Sequence, residues 1–131
     1  MYKLFNSLMT AILVLGSGFA NAATLMCDHT EARTELAIRA RAGSTVRVVG
    51  SETSASSGFR WISKEGIEGT IVQRPDPGNI GGVDLISFAI NTNAQMLWSK
   101  VYTFELRRPW ETGVEPKAVC TVKVVKFLRN H

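Results

Sequence analysis

Four side chains in this sequence are thiols or imidazoles, the groups that form thiol–imidazole pairs or zinc clusters: Cys27, His29, Cys120 and His131. Thiol catalysis needs an imidazole within hydrogen-bond reach of the sulfur. His29 lies only two residues from Cys27, and His131 is the last residue of the sequence. A zinc cluster with four Cys and His ligands would have to use all four residues. A disulfide needs only the two cysteines. Pairing Cys27 with Cys120 closes a loop of about 94 residues, a constraint on the unfolded chain worth about 4 kcal/mol. The bridge is the better reading, with no catalytic residue, no metal and no cofactor assigned.

A different chemistry, recognition without reaction, is suggested by three stretches rich in small or special residues. The first runs from Ser51 to Gly58 as Ser-Glu-Thr-Ser-Ala-Ser-Ser-Gly. The second runs from Pro75 to Gly82 as Pro-Asp-Pro-Gly-Asn-Ile-Gly-Gly, and the third starts at Arg108-Pro109-Trp110 and continues to Pro116. Taken singly, each reads as a solvated turn or a locally packed tryptophan. Three such loops gathered at one end of a rigid scaffold make a binding surface.

The elements that must position them are strands. Residues 1–22 stand apart as a secretory signal. Lys3 gives a basic start, an apolar run reaches Leu15, and Ala20-Asn21-Ala22 fits the small-x-small cleavage rule. The run is too short to span a bilayer. The expected product is residues 23–131, exported to the periplasm or the cell exterior, where the thiols can pair.

After the signal, short runs of β-branched and aromatic residues alternate with polar ones between Gly, Pro, Asn and Ser breaks. Leu36, Ile38 and Ala40 mark a first strand, Val46 and Val48 a second, and Phe59 and Trp61 a third. Thr70 to Val72 makes a fourth and Val83 to Ile90 a fifth. Residues 97–107 form a sixth, with Tyr102, Phe104 and Leu106 on one face. Lys117 to Leu128 form a seventh, with Cys120, Val122 and Val124 on one side. Residues 65–74 could instead hold a turn of helix. Phe59 and Trp61 read as core, and the alternation puts Trp98 on the face of Tyr102 and Phe104. About seven strands with no helix between them imply an all-β antiparallel sandwich. In that architecture the connections after strands two, four and six share one end, which brings the three loops together.

Composition agrees with a binding domain. Hydrophobic residues are 45% of the chain and charged residues 20%, ordinary for a globular protein and contrary to disorder. Fifteen Lys and Arg against 11 Asp and Glu give a net charge of +4, too little to suggest a nucleic-acid partner. No stretch beyond the signal is apolar enough for stable membrane insertion.

Read in order, Ser54-Ala55-Ser56-Ser57-Gly58-Phe59-Arg60-Trp61, Gly81-Gly82 and Arg108-Pro109-Trp110 resemble the three motifs of the chagasin-type inhibitors of cysteine peptidases. The likeness spans residues 34–128. It implies an immunoglobulin-like sandwich that inserts three loops into the active-site cleft of a papain-like peptidase, as a monomer before binding. Carried over, Ser54, Ala55, Ser56, Ser57 and Gly58 form the first contact loop, Gly81 and Gly82 the second, and Arg108, Pro109 and Trp110 the third. Ser54 and Ala55 stand where the family has Asn-Pro, so this loop lacks the ring that fixes φ. The alternative class is an immunoglobulin-like adhesion or assembly module using the same loops on a partner that is not a peptidase.

Overall fold

A computed structural model describes residues 22–53, 57–74, 82–93 and 97–128. Period-two alternation sets the architecture. In Ala118–Phe127 the inward positions Ala118, Cys120, Val122 and Val124 are buried while their neighbours are half-buried or exposed. The same pattern buries Leu36, Ile38 and Ala40, and likewise Tyr102, Phe104 and Leu106. A strand with one apolar face must lay that face on another sheet.

Among the described residues eight strands result: β1 (Ala22–Cys27), β2 (Arg33–Arg41), β3 (Thr45–Glu52), β4 (Arg60–Ser63), β5 (Gly69–Gln73), β6 (Asp84–Asn91), β7 (Ser99–Arg107) and β8 (Ala118–Phe127). They form two four-stranded sheets, ordered β1-β3-β6-β5 and β2-β8-β7-β4, packed as an immunoglobulin-like β-sandwich. The expected seven strands are all present as β2 to β8, and β1 is additional. The sheets are mixed, because β1 pairs with β3 and β2 with β8 in parallel while the other pairs are antiparallel. The parallel pairs follow from the chain crossing between sheets after Cys27: the two strands flanking that crossing each join a neighbour remote in sequence. Within residues 65–74 the chain forms no helical turn. Gly66, at φ 81°, completes a tight turn in which its N–H bonds the Ser63 carbonyl at 3.3 Å, and β5 follows.

The core lies between the sheets. Phe88 and Phe104 meet there with ring centroids 4.9 Å apart. Trp61, buried as expected, lies so close over Gly50 that a Cβ there would sit 2.3 Å from its Cδ1. Cys27 and Cys120 form a buried disulfide with Cα atoms 6.0 Å apart, tying β1 of one sheet to β8 of the other. The cross-strand pairs Glu52 with Asp84, Arg60 with Arg107 and Leu106 with Ala118 then place the connections after β3, β5 and β7 at the same end. The bridge sits in the two sheets just below that end.

Candidate functional site

The loop end is built from three connections: loop 1 (residues 53–59), loop 2 (residues 74–83) and loop 3 (residues 108–117). Of the expected contact residues, Ser54, Ala55, Ser56 and Gly81 lie outside the described residues. Ser57, Gly58, Gly82, Arg108, Pro109 and Trp110 are described.

Loop 1 closes on itself through Ser57. Its N–H donates to the Thr53 carbonyl at 2.9 Å, and its hydroxyl lies 2.8 Å from that carbonyl and 2.6 Å from Thr53 Oγ1. Gly58 follows at φ 79°, a left-handed conformation that strains any side-chain-bearing residue. Loop 3 begins with a tight turn. The Glu111 N–H bonds the Arg108 carbonyl at 3.0 Å, with Pro109 at the position where its fixed φ suits such a turn. Arg107 secures the return by donating to the Val114 carbonyl and pairing with Glu105 at 2.8 Å.

Loops 1 and 3 are locked together. Arg108 Nε donates to the Ser57 carbonyl at 2.8 Å, and the guanidinium lies 4.4 Å from the centre of the Phe59 ring. Lys117 approaches the same ring at 4.8 Å, and Glu111 lies 3.6 Å from Arg108 Nη1. Trp110 reaches across to Gly58 so closely that a Cβ there would lie 2.2 Å from Cη2 of the indole. The indole is still 69% exposed, pinned along one edge and open on the rest. Phe59 is thus a half-buried platform packed against the core. Arg108 turns its hydrogen-bonding capacity inward, toward loop 1. Gly82 is half-buried at the foot of loop 2, two residues before β6.

Beneath the loops lies a polar layer that sequence reading placed in loop 1. Ser51 and Glu52 belong to β3 and are buried. Glu52 Oε1 accepts the Trp61 N–H at 3.0 Å, and Trp61 Nε1 donates to the Ser51 carbonyl at 2.8 Å. Trp61 therefore joins the root of loop 1 to the first residues of β4.

A fourth connection, residues 28–32 between β1 and β2, reaches the same end and was not expected there. The Asp28 carboxylate accepts the Thr30 N–H at 2.9 Å, and that bond above all holds its pKa below the usual 3.8. An Asp followed two residues later by a bonded backbone N–H is an Asx turn, and Asp28-His29-Thr30 is the sequence signal that could have located it. His29 uses Nδ1 toward both Ser51 Oγ, at 2.9 Å, and Asp28 Oδ1, at 3.5 Å. A Ser-His-Asp relay needs opposite ring nitrogens for its two partners, and this arrangement does not supply them. Cys27 is spent in the disulfide and so cannot form a thiol–imidazole pair with His29.

No protein-family model and no curated protein sequence matches the chain. Solved structures do match. The cysteine protease inhibitor EhICP2 from Entamoeba histolytica superposes with a TM-score of 0.59 at 19% identity, covering 82% of this chain and 99% of that one. Amebosin gives 0.58 at 18% identity, covering 81% and 98%. PbICP-C, solved in complex with falcipain-2, gives 0.51 at 12% identity, covering 82% and 99%. At such identities the likeness is one of fold: the chain has the fold of these three proteins, over nearly their whole length.

Proposed function

We propose that this protein is an exported, reversible inhibitor of papain-like cysteine peptidases, itself without catalytic activity, which blocks the active-site cleft with loops 1, 2 and 3. One observation carries the reading: loops 1 and 3 interlock, Arg108 on Ser57 and Trp110 on Gly58, at one end of a sandwich that shares its fold with the cysteine protease inhibitor EhICP2 and with PbICP-C, solved in complex with falcipain-2. A protein that blocks a protease must fill the cleft without presenting a peptide bond in cleavable register. Bracing of Arg108 on Ser57 and of Trp110 on Gly58 lowers the ordering cost of binding, which favours tight binding and resists cleavage. Small residues such as Ser57 and Gly58 let backbone approach a nucleophile closely. Trp110 offers a large, rigid, amphipathic contact of the kind that dominates interfaces. The disulfide supports the export reading, because such a bond needs an oxidising compartment.

Titration of papain or a cathepsin L-type enzyme with the protein tests the reading. A stoichiometric, reversible loss of activity with the chain left intact is expected. Full activity at excess protein overturns it. Trp110→Ala is expected to raise the inhibition constant by about 2 kcal/mol, the scale of an aromatic anchor.

A further inference from the structure

The opposite end of the sandwich carries a surface that the inhibitor reading does not use. On the outer face of the β2-β8-β7-β4 sheet, the rows farthest from the loops are Ala37–Lys123–Val101, Arg39–Val125–Ser99 and Arg41–Phe127. Alternation points these side chains away from the core, since Ile38, Ala40, Val122, Val124 and Tyr102 between them are buried. Three cations therefore share the face with three large apolar groups, and no acid stands in these rows. Glu35 lies one row nearer the loops. Glu65, in the turn after β4, is engaged by the Thr103 N–H at 3.1 Å.

Where β7 begins and β8 ends, at this same end of the sandwich, large apolar side chains project into solvent. Leu97 is 71% exposed, Trp98 58% and Leu128 62%, with Val101 on the face itself 53% exposed. They sit together because the Lys126 N–H bonds the Trp98 carbonyl at 2.8 Å, extending the β7–β8 pairing to the ends of both strands. Trp98 does not enter the core despite its parity. Its ring lies 5.0 Å from Lys126 Nζ, whose side chain lies along the inner face and reaches the Asn93 carbonyl at 3.2 Å. Four exposed apolar groups beside three cations make an unusual cluster on a domain of this size.

We propose that this end of the sandwich docks peripherally on an anionic lipid bilayer, with the loop end left clear for a peptidase. Arg39, Arg41 and Lys123 complement lipid phosphates, and Trp98, Leu97 and Leu128 enter the headgroup and upper acyl region, where an amphipathic indole is most stable. Aliphatic side chains benefit from hydrocarbon and not from a nucleic-acid backbone, which favours lipid over nucleic acid. A second copy of the chain is disfavoured because a two-fold contact sets like charges against each other.

The test is co-sedimentation of the full chain with vesicles of phosphatidylglycerol and phosphatidylcholine, compared with phosphatidylcholine alone. Residues 1–22 are apolar in part, so parent and variants are compared in the same chain and again after cleavage at Ala22. The double variant Arg39→Glu/Lys123→Glu is expected to lose about tenfold or more in affinity for the anionic vesicles. Trp98→Ser is expected to lose severalfold. Arg33→Glu/Arg60→Glu makes the same change in net charge near the loops and is expected to bind like the parent. Thermal unfolding of each variant confirms that it folds. Equal binding by the Arg39/Lys123 variant, equal loss in the Arg33/Arg60 control, or equal binding of the parent to neutral vesicles overturns the proposal. So does concentration-dependent dimerisation through this face in place of vesicle binding.

Discussion

The two ends of the sandwich solve the same problem in different ways. At the end away from the loops the turn between β2 and β3 is short, and its polar backbone groups find partners nearby. Thr92, fully buried, donates its hydroxyl toward the Arg41 and Ser44 carbonyls at 2.8 and 2.7 Å, and its N–H bonds the Ser44 carbonyl at 3.0 Å. Gly43 N–H returns to the Thr92 carbonyl at 2.6 Å, closing the turn between β2 and β3 against the end of β6. At the loop end the connections are long and brace one another, Arg108 on Ser57 and Trp110 on Gly58. The difference separates stability from function. Local satisfaction of backbone groups makes a clasp, whereas bracing between loops makes a shaped surface whose residues remain partly exposed.

That contrast can be broken at several points. Replacing Cys27 and Cys120 by alanine should have the largest effect, about 4 kcal/mol of unfolding free energy by denaturant titration, because the bridge spans 93 positions and joins the sheets beneath the loops. A loss below about 1 kcal/mol would show that packing alone holds the sheets. Gly58→Ala should come next. Its methyl collides with Trp110 and its backbone is strained, so inhibition should weaken by about 2 kcal/mol with a stability loss of about 1 kcal/mol. Equal losses in both would mean that Gly58 serves only the fold.

Thr92→Val tests the other end. The Arg41 and Ser44 carbonyls keep backbone donors after the hydroxyl is removed, so the cost should be about 1 kcal/mol of stability with inhibition unchanged. A change in inhibition would show that the two ends are coupled. The smallest effect concerns Asp28, whose carboxyl pKa is lowered by the Thr30 N–H. A depressed folded-state pKa contributes stability above the unfolded value, and the contribution is lost as the pH falls below 3.8 through the folded value. Asp28→Asn should therefore flatten the acid limb of the stability curve below that pH while leaving its shape near neutrality alone. An unchanged acid limb would remove Asp28 from the account.

Much of the scaffold is readable from side-chain period. Tyr102, Phe104 and Leu106, like Cys120, Val122 and Val124, alternate so strictly that a buried face follows from the geometry of an extended chain. Strand parity then puts loops 1, 2 and 3 at one end without any knowledge of the pairing. Other features resist that reading. β1 is missed because Ala22–Cys27 follows closely on an apolar stretch of the sequence and gains strand status only through a parallel partner more than twenty residues away. Ser51 and Glu52 look like loop because they are polar, yet register with Leu85 and Asp84 and the cover of Trp61 draw them into the sheet. Trp98 has the parity of a core residue, but the inner position beside it is taken by Lys126.

The sequence by itself determines the class of this protein. Period two makes strands, and two cysteines allow a single bridge within the chain. Only the tertiary structure decides which side chains meet. That Arg108 would face the Ser57 carbonyl, that Trp110 would close on Gly58 and that Arg39 would lie over the Phe127 ring depends on contacts between residues tens of positions apart. Such contacts are set by strand register and sheet packing, and neither is written in the local pattern of any one strand.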